Sequence, residues 1–285
     1  MAEKRKVEIA VISDVHLGTY GCRAKELLRY LKSIDPEILV LNGDIIDIWQ
    51  FNKRYWPKSH MKVLRYLLGM IAKGKTIYYI TGNHDEVLRK FNHFSLGSFE
   101  IRNKLVLDLQ DGPAWIFHGD VFDVVMKYSR WLARLGAIGY DSLILLNGMA
   151  NWFGKQLGKG PYSMSKKIKN SVKSAVKFIN DFEDTAAGIA IDNKYRYVVC
   201  GHIHQPGMRE ISNERGSVLY LNSGDWVENL TALEYNRGRW CIYSYHDDPA
   251  MLQNTEEQPD TDELVAMMDK KQLFVELQNE LNIKV

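Results

Sequence analysis

Cysteine is scarce in this chain, and its spacing excludes several classes of protein. The three cysteines, Cys22, Cys200 and Cys241, are far apart, and no Cys-x-x-Cys pair occurs. This spacing provides neither a disulfide framework nor a cysteine-rich zinc site. We therefore expect three unpaired thiols in a reducing compartment.

Long apolar runs are also missing. No stretch of about 18 consecutive apolar residues occurs, so the sequence predicts no bilayer-spanning helix. The first apolar run, residues 7–12, is too short for the core of a secretion signal, and no small-residue cleavage site follows it. These features together predict a cytoplasmic protein.

A strong charge of either sign is absent as well. The formal net charge of +2 is too small to indicate a nucleic-acid partner, and we expect none. An apolar content of 46% and a charged content of 25% are typical of a soluble globular protein. A chain of 285 residues can form one large domain that carries an insertion.

The first part of the chain alternates between strand and helix patterns. Apolar, β-branched runs predict strands, and apolar residues at helical spacing predict helices between them. The predicted strands are 7–12, 37–41, 76–80, 105–109, 114–117, 195–200, 218–222 and 239–245, and the predicted helices are 23–33 and 59–72. The turn at 111–113 predicts a hairpin of the fourth and fifth strands. This alternation indicates a layered α/β core with functional loops at the strand ends.

Two segments differ from this core. Residues 120–192 have helical patterns, an apolar stretch at 143–153 and a lysine-rich helix at 166–179. Residues 247–285 are an acidic linker followed by a predicted helix. We therefore predict a core in two parts, 1–119 and 193–246, a helical insertion at 120–192 and a C-terminal extension at 247–285.

Five polar blocks follow the apolar runs. They are Asp14-Val15-His16, Gly43-Asp44-Ile45-Ile46-Asp47, Gly82-Asn83-His84-Asp85, Phe117-His118-Gly119 and Gly201-His202-Ile203-His204. Strand side chains repeat every two residues, so Asp-x-His and His-x-His at a strand end should present both side chains on one face. A lone His-x-His could be a pair of surface histidines, but five such blocks in one chain predict a metal site.

The mixture of Asp, Asn and His ligands suits divalent ions, most of all Mn²⁺, with Fe²⁺ and Zn²⁺ as alternatives. Two such ions about 3.5–4 Å apart form a clamp for in-line displacement at phosphorus. A water that bridges them becomes hydroxide near neutral pH. One carboxylate must join the ions, and Asp44 is the natural candidate.

These blocks resemble the motifs of the calcineurin-like metallophosphoesterase superfamily across residues 7–225. The resemblance implies an α-β-β-α sandwich and a metal-dependent phosphoesterase or pyrophosphatase. It implies that two sets of ligands hold the ions, Asp14, His16, Asp44 and His204 in one and Asp44, Asn83, His118 and His202 in the other. It further implies that His84 contacts the phosphoryl group and protonates the leaving oxygen, while Asp47 orients His84, since a carboxylate raises the basicity of an imidazole.

Block spacing and the long insertion resemble more narrowly the UDP-2,3-diacylglucosamine hydrolases of lipid A biosynthesis. That resemblance implies cleavage of a pyrophosphate to UMP and an acylated sugar 1-phosphate, with the insertion as a lid over the acyl chains. It also implies a peripheral location on the cytoplasmic face of the inner membrane. The predicted substrate-binding residues are Asn83, His84, Asp123, Lys166, Asn170 and Lys173.

Other specificities stay open. The best-known UDP-2,3-diacylglucosamine hydrolases have Arg where this chain has His84, so a different diphosphate or phosphomonoester is compatible with the motif. A phosphoprotein, a cyclic nucleotide or a nucleic acid would need the same metals, and a non-catalytic scaffold would use the same fold. The apolar stretch of the insertion also fits a helical core, and its lysines also fit a solvated face. The sequence does not indicate an oligomeric state.

Overall fold

The structure, a computed structural model, describes residues 4–49, 55–122 and 179–252. It has twelve strands in these ranges: β1 Arg5–Ile12, β2 Ile34–Asn42, β3 Thr76–Ile80, β4 Ser95–Leu96, β5 Phe99–Arg102, β6 Leu105–Leu109, β7 Gly112–Ile116, β8 Tyr197–Cys200, β9 Gly207–Asn213, β10 Gly216–Asn222, β11 Thr231–Asn236 and β12 Arg239–Ser244. The α-helices are α1 Ala24–Ser33, α2 Lys58–Ala72, α3 over residues 179–192 and α4 Pro249–Leu252. Short 3-10 helices span Glu86–Phe91, Asp120–Phe122 and Tyr245–Asp247.

The strands form two sheets. The first has the order β12-β11-β1-β2-β3-β5-β4, and the second has the order β6-β7-β8-β10-β9. β1, β2, β3 and β5 are parallel in the first sheet, and β7, β8 and β10 are parallel in the second. Antiparallel strands complete the edges of both sheets. The parallel strands of each sheet therefore end at the same edge, where functional loops are expected.

Side chains of each strand alternate between two apolar layers. In β2, Leu39 and Leu41 pack toward α1 and α2, whereas Val40 packs between the sheets. A third apolar layer joins the second sheet to α3, where Phe182 is fully buried. The order of layers is therefore helix, sheet, sheet, helix, and the predicted α-β-β-α sandwich is confirmed. No helix among the described residues is long and apolar enough to cross a membrane.

Several strand boundaries differ from the sequence prediction. The second strand is predicted to begin at residue 37, yet β2 begins at Ile34 and includes Asp35 and Pro36. Pro36 is opposite Val7 of β1, and pairing of β2 with β3 begins only at Ile38. Proline is tolerated at this position because β2 has a paired neighbour on only one side here.

Four strands that complete the sheets are not predicted from the sequence. β4 has only two residues, β5 has four, and β9 is mostly exposed, so none of these three contains an apolar run. β11 is buried but is interrupted by Glu234. Arg5 makes a bidentate ion pair with this carboxylate, and the Tyr30 hydroxyl donates to it at 3.1 Å. Glu234 is therefore a satisfied buried charge inside a strand, which a reading of apolar pattern misses.

The two segments outside the predicted core are described only in part. Within the predicted insertion, the structure describes the short helix Asp120–Phe122 and α3. Within the predicted C-terminal extension it describes residues up to Leu252, and Met251 of α4 is buried in the main core. The predicted substrate contacts Asp123, Lys166, Asn170 and Lys173 lie outside the described residues.

Candidate metal centre

Loops at one edge of the two sheets bring the polar blocks together. The loops after β1, β2, β3, β7 and β8 carry, in that order, Asp14 and His16; Asp44 and Asp47; Asn83 and His84; His118; and His202 and His204. Because the strands before them are parallel within each sheet, the loops meet at one end of the sandwich.

The backbone at these ligands is not extended, contrary to the predicted strand geometry. Asp14, His16, Asp44, His202 and His204 have φ values of 52°, 53°, 54°, 68° and 54°. Residues other than glycine rarely adopt this left-handed backbone conformation, and each one lowers the free energy of unfolding by about 1–3 kcal/mol. The side chains therefore converge because the backbone of the loops turns sharply at these residues. The prediction that strand alternation would place them on one face is wrong.

Two glycines let the loops approach this closely. A Cβ on Gly82 would lie 2.2 Å from Asp44 Oδ1, and a Cβ on Gly43 would lie 2.3 Å from His118 Nδ1. Both distances are far below contact distance, so any side chain here would push the candidate ligands apart. We expect the substitution Gly82→Ala to weaken metal binding, measured by metal titration. Gly69→Ala in α2 is the control, because a Cβ there would meet nothing within 4 Å.

Asp14, His16 and His204 form the first group of candidate ligands. One potential ligand atom from each lies within 4.8 Å of the others. Asp14 Oδ1 is 3.2 Å from His204 Nε2, and the Nε2 atoms of His16 and His204 are 3.4 Å apart. All three side chains therefore point at one small volume.

Asp44, His118 and His202 form the second group, again within 4.8 Å. Asp44 Oδ2 is 3.3 Å from His118 Nε2. Asp44 also belongs to a group with His16 and His84, so it lies between the two volumes. The amide oxygen of Asn83 is buried and has no hydrogen-bond partner among the described residues.

Each carboxylate uses one oxygen for the fold and leaves the other to the site. The His202 N–H donates to Asp14 Oδ2 at 3.0 Å, and the His84 N–H donates to Asp44 Oδ1 at 2.8 Å. Asp14 Oδ1 and His118 Nε2 are buried without a hydrogen bond among the described residues, and each faces another candidate ligand, His204 Nε2 at 3.2 Å and Asp44 Oδ2 at 3.3 Å. Buried polar atoms without a hydrogen bond destabilise the fold. Divalent cations would satisfy them, so the residues fit the predicted metal ions.

The imidazoles are also oriented for ligation. His118 Nδ1–H donates to the Asn42 carbonyl at 2.8 Å, which leaves Nε2 free as a ligand. His16 Nδ1 is 3.1 Å from Asp47 Oδ2, and His204 Nδ1 is 3.6 Å from Asp225 Oδ2. An acceptor behind the far nitrogen is the usual support of a metal-bound histidine, because it sets the tautomer and the ring orientation.

The pKa shifts of the candidate ligands indicate that the site favours positive charge. Burial would raise the pKa of Asp14, but the imidazoles of His204 and His118 lower it to about 2. Burial would lower the pKa of His204, but Asp14 raises it to about 9. The pKa of buried His118 is likewise raised by Asp44 and Asp14, against the effect of burial. The carboxylates thus hold positive charge, and bound cations would displace these protons.

Comparison with known proteins decides the family. The model of the calcineurin-like phosphoesterase family matches residues 7–206. The chain belongs to the calcineurin-like phosphoesterases. The predicted resemblance to that superfamily is therefore confirmed, and the protein is a metal-dependent hydrolase.

Similar proteins span most of this phosphoesterase. It is 24% identical over 245 residues to the UDP-2,3-diacylglucosamine hydrolase of Blochmanniella pennsylvanica (strain BPEN), covering 81% of this chain and 92% of that one. It is 21% identical over 252 residues to the enzyme of the same name in Stutzerimonas stutzeri (strain A1501), covering 86% and 99%. Among solved structures, an archaeal phosphodiesterase matches with 14% identity, a TM-score of 0.41 and coverage of 83% and 98%. Vacuolar protein sorting 29 of Cryptosporidium parvum matches with 13% identity, a TM-score of 0.35 and coverage of 83% and 95%.

Asp85 is a supporting residue of the phosphoesterase that the sequence analysis leaves without a role. Its buried carboxylate accepts three hydrogen bonds, from Ile45 N–H at 3.0 Å, Gly82 N–H at 2.6 Å and the Tyr79 hydroxyl at 2.6 Å. It thereby ties the loop of Asp44 to the loop of Asn83. Its place inside the Gly-Asn-His-Asp block is the only sequence signal for it.

We expect Asp85→Ala to destabilise the protein by about 3 kcal/mol or more. The substitution leaves three buried donors unsatisfied, and each costs about 1–3 kcal/mol. Urea unfolding of the metal-free protein measures this loss. Tyr79→Phe is the matched control, since it removes only one of the three donors and should cost about 1 kcal/mol. Equal losses for the two variants would contradict a role for Asp85 in joining the loops.

Asp225 is a second supporting residue that the sequence does not reveal. Its Oδ1 accepts the backbone N–H groups of Val227, Glu228 and Asn229. Asn229 Nδ2 donates to Asp225 Oδ2 at 2.6 Å and to the carbonyl of His204 at 2.8 Å. The loop after β10 therefore fixes the backbone of His204 as well as its ring.

The metal-free phosphoesterase should lose stability as the pH rises from 6.5 to about 9. His204 has its pKa raised from 6.5 to about 9, so its contribution is complete below pH 6.5 and is lost toward pH 9. Asp14 has its pKa lowered from 3.8 to about 2, so its contribution is complete above pH 3.8 and is lost toward pH 2. Excess Mn²⁺ should reverse the alkaline slope, because only neutral imidazoles ligate. Melting temperatures at pH 6 and pH 9, measured once in EDTA and once in Mn²⁺, test this expectation. An equal change of melting temperature with pH in EDTA and in Mn²⁺ would contradict it.

Proposed function

We propose that this phosphoesterase hydrolyses the phosphoanhydride of a lipid-linked sugar nucleotide, most specifically UDP-2,3-diacylglucosamine or a similar compound of lipid A biosynthesis. The products would be UMP and an acylated sugar 1-phosphate. One observation carries the reaction type: Asp44 lies between two groups of ligands, with His84 Nε2 4.0 Å from its Oδ2. The substrate class is supported by relatives of that name, which this chain matches over more than nine-tenths of their length.

Two divalent ions would occupy the site, and Mn²⁺ is the favoured ion. Asp14, His16, Asp44 and His204 would hold one, and Asp44, Asn83, His118 and His202 would hold the other. Bound there, the ions would supply the nucleophile and neutralise the charge that develops on the phosphoryl oxygens.

His84 is the proposed proton donor to the leaving oxygen. Its Nδ1 is 2.8 Å from Asp47 Oδ2, so Nε2 is left to face the site. Burial lowers the pKa of His84, but Asp47 and Asp44 more than offset this and raise it. A raised pKa increases the fraction of the imidazole that carries a proton, which it can give up as the phosphorus–oxygen bond breaks.

Asp47 supports two histidines at once. The same oxygen, Oδ2, contacts His84 Nδ1 and, at 3.1 Å, His16 Nδ1. The family resemblance implies only the contact with His84. The second contact means that one carboxylate aligns the proposed proton donor and a metal ligand, so their relative positions depend on a single side chain.

Exposed apolar side chains around the site support an amphiphilic substrate. Seven large apolar residues in the segments that follow β1, β2, β3 and β7 are more than a third exposed: Tyr20, Ile48, Trp49, Val87, Phe91, Phe94 and Val121. Exposed apolar side chains near a catalytic site are available to bind apolar parts of a substrate. A lipid-linked substrate would present such groups at a membrane surface, so we propose that the enzyme works peripherally on the cytoplasmic face of the inner membrane.

A substrate panel with Mn²⁺ tests the proposal. We expect UDP-2,3-diacylglucosamine to be hydrolysed with the highest kcat/KM, and UDP-glucosamine without acyl chains to react more slowly, because it cannot use the apolar surface. Other members of the panel are a phosphopeptide, a cyclic nucleotide and an oligonucleotide. Higher activity on one of these three would overturn the substrate and keep the metal chemistry. Absence of all hydrolysis in the metal-loaded protein would favour a scaffold.

A further inference from the structure

Trp49 is the exposed neighbour of the proposed proton donor. It follows Asp47 by two residues in the loop after β2, and half of its surface is exposed. Its ring lies against the His84 imidazole, with ring centroids 4.7 Å apart and planes inclined by 35°. The two loops are joined beside this contact, where the Ile48 N–H donates to the His84 carbonyl at 3.0 Å. The indole is therefore held against His84 by the backbone.

Three groups together surround the His84 ring. Asp47 Oδ2 is 2.8 Å from Nδ1, and the His16 ring meets the imidazole edge-on, with centroids 4.7 Å apart and an angle of 88°. Both are buried residues, so they confine the ring from inside the protein. Trp49 is an exposed residue and confines it from outside, which leaves the His84 side chain only 21% exposed.

We propose that Trp49 is a positioning residue, which holds the His84 imidazole in the orientation that presents Nε2 to the leaving oxygen. Asp47 fixes one nitrogen but permits rotation about that contact, since a single contact does not define a ring plane. The indole face supplies the missing constraint. Errors of about 1 Å in the position of a catalytic group can slow a reaction by about 100-fold, so a packing contact of this kind controls rate. This inference rests on the proposed function of His84.

Leaving groups of different basicity separate positioning from mere structure. A p-nitrophenolate leaving group is stable as an anion and needs little help from an acid, whereas a phenolate needs a proton. The probes are therefore methyl p-nitrophenyl phosphate and methyl phenyl phosphate, assayed with the full chain loaded with Mn²⁺. We expect Trp49→Ala to lower kcat on the phenyl ester by about 10- to 100-fold and on the p-nitrophenyl ester by less than about twofold, with KM unchanged.

Conservative replacement and a double variant sharpen the test. Trp49→Phe keeps an aromatic face and should restore most of the rate on the phenyl ester. His84→Gln should show the same leaving-group dependence, and adding Trp49→Ala to it should cost nothing further, because the two residues act through one proton. Leu68→Ala is the control: Leu68 is a large exposed apolar residue of α2, outside the loops that carry the candidate ligands. It should not alter the leaving-group dependence.

Each failure has its own signature. A rise in KM on both esters without a change in kcat would overturn the inference and make Trp49 a substrate contact. Equal losses on both esters would also overturn it, as a general structural defect. If wild-type protein loaded with Mn²⁺ hydrolyses neither ester nor any member of the substrate panel, the proposed function fails first. If His84→Gln has no effect, the role of His84 fails while the phosphoesterase activity stands.

Discussion

Replacing Asp44 with alanine is expected to remove both metal ions and to lower kcat/KM by at least about 10³-fold. The side chain lies between the two groups of ligands, so its loss opens both. Bound ions contribute several kcal/mol to phosphoryl transfer, and each 1.4 kcal/mol corresponds to a factor of ten. The loss also leaves the His84 N–H without its acceptor, which loosens the loop that carries Asn83.

Asp14→Ala is the matched comparison, because Asp14 belongs to one group only. After equilibration with Mn²⁺ and desalting, metal analysis should find two ions in the wild type, one in Asp14→Ala and none in Asp44→Ala. Circular dichroism in EDTA would show that both variants fold. Retention of two ions by Asp44→Ala would contradict the shared position of this carboxylate, and equal metal loss in the two variants would contradict the division into two groups.

The meeting of the candidate ligands at one edge could be predicted because the sequence signals for them are local. Asp14, Asp44, Asn83 and His118 each stand just after an apolar run, and each has a side chain of ligand type. Parallel strands then bring the ends of such runs to one edge of a sheet. The hairpin of β6 and β7 could be predicted for the same reason, since its two runs and its turn are adjacent in the chain.

The supports of the site could not be predicted, because their partners are remote and belong to the backbone. Asp85 accepts from Ile45 N–H, 40 residues earlier, and only the folded loops show that contact. The position of Asp225 behind His204 depends on the loop after β10, which carries no metal ligand. The left-handed backbone at Asp14 and His16 is likewise invisible in sequence, since neither residue is glycine. Tertiary contacts stabilise conformations that local propensity disfavours.

His84→Gln should lower kcat on methyl phenyl phosphate, whose phenolate leaving group needs a proton, by about 10²- to 10⁴-fold, the usual contribution of a general acid. Glutamine retains a polar side chain of similar reach but cannot release a proton. The metal ions should remain, because neither proposed ligand set includes His84. Metal content needs to be measured in this variant, because His84 also forms a group of three potential ligands with His16 and Asp44.

Metal content therefore distinguishes the two roles of His84. Two ions with low turnover would support the proton donor, whereas loss of an ion would make His84 a ligand. Full turnover would refute both. His246→Gln is a suitable control, because His246 is exposed and lies outside the site in the short helix Tyr245–Asp247. A third variant, His84→Arg, introduces the residue of the best-known UDP-2,3-diacylglucosamine hydrolases. If His84→Arg turns over the UDP-lipid faster than His84→Gln does, a fixed positive charge at this position replaces part of what the proton of His84 supplies. Histidine and arginine at residue 84 would then serve the same reaction in different ways.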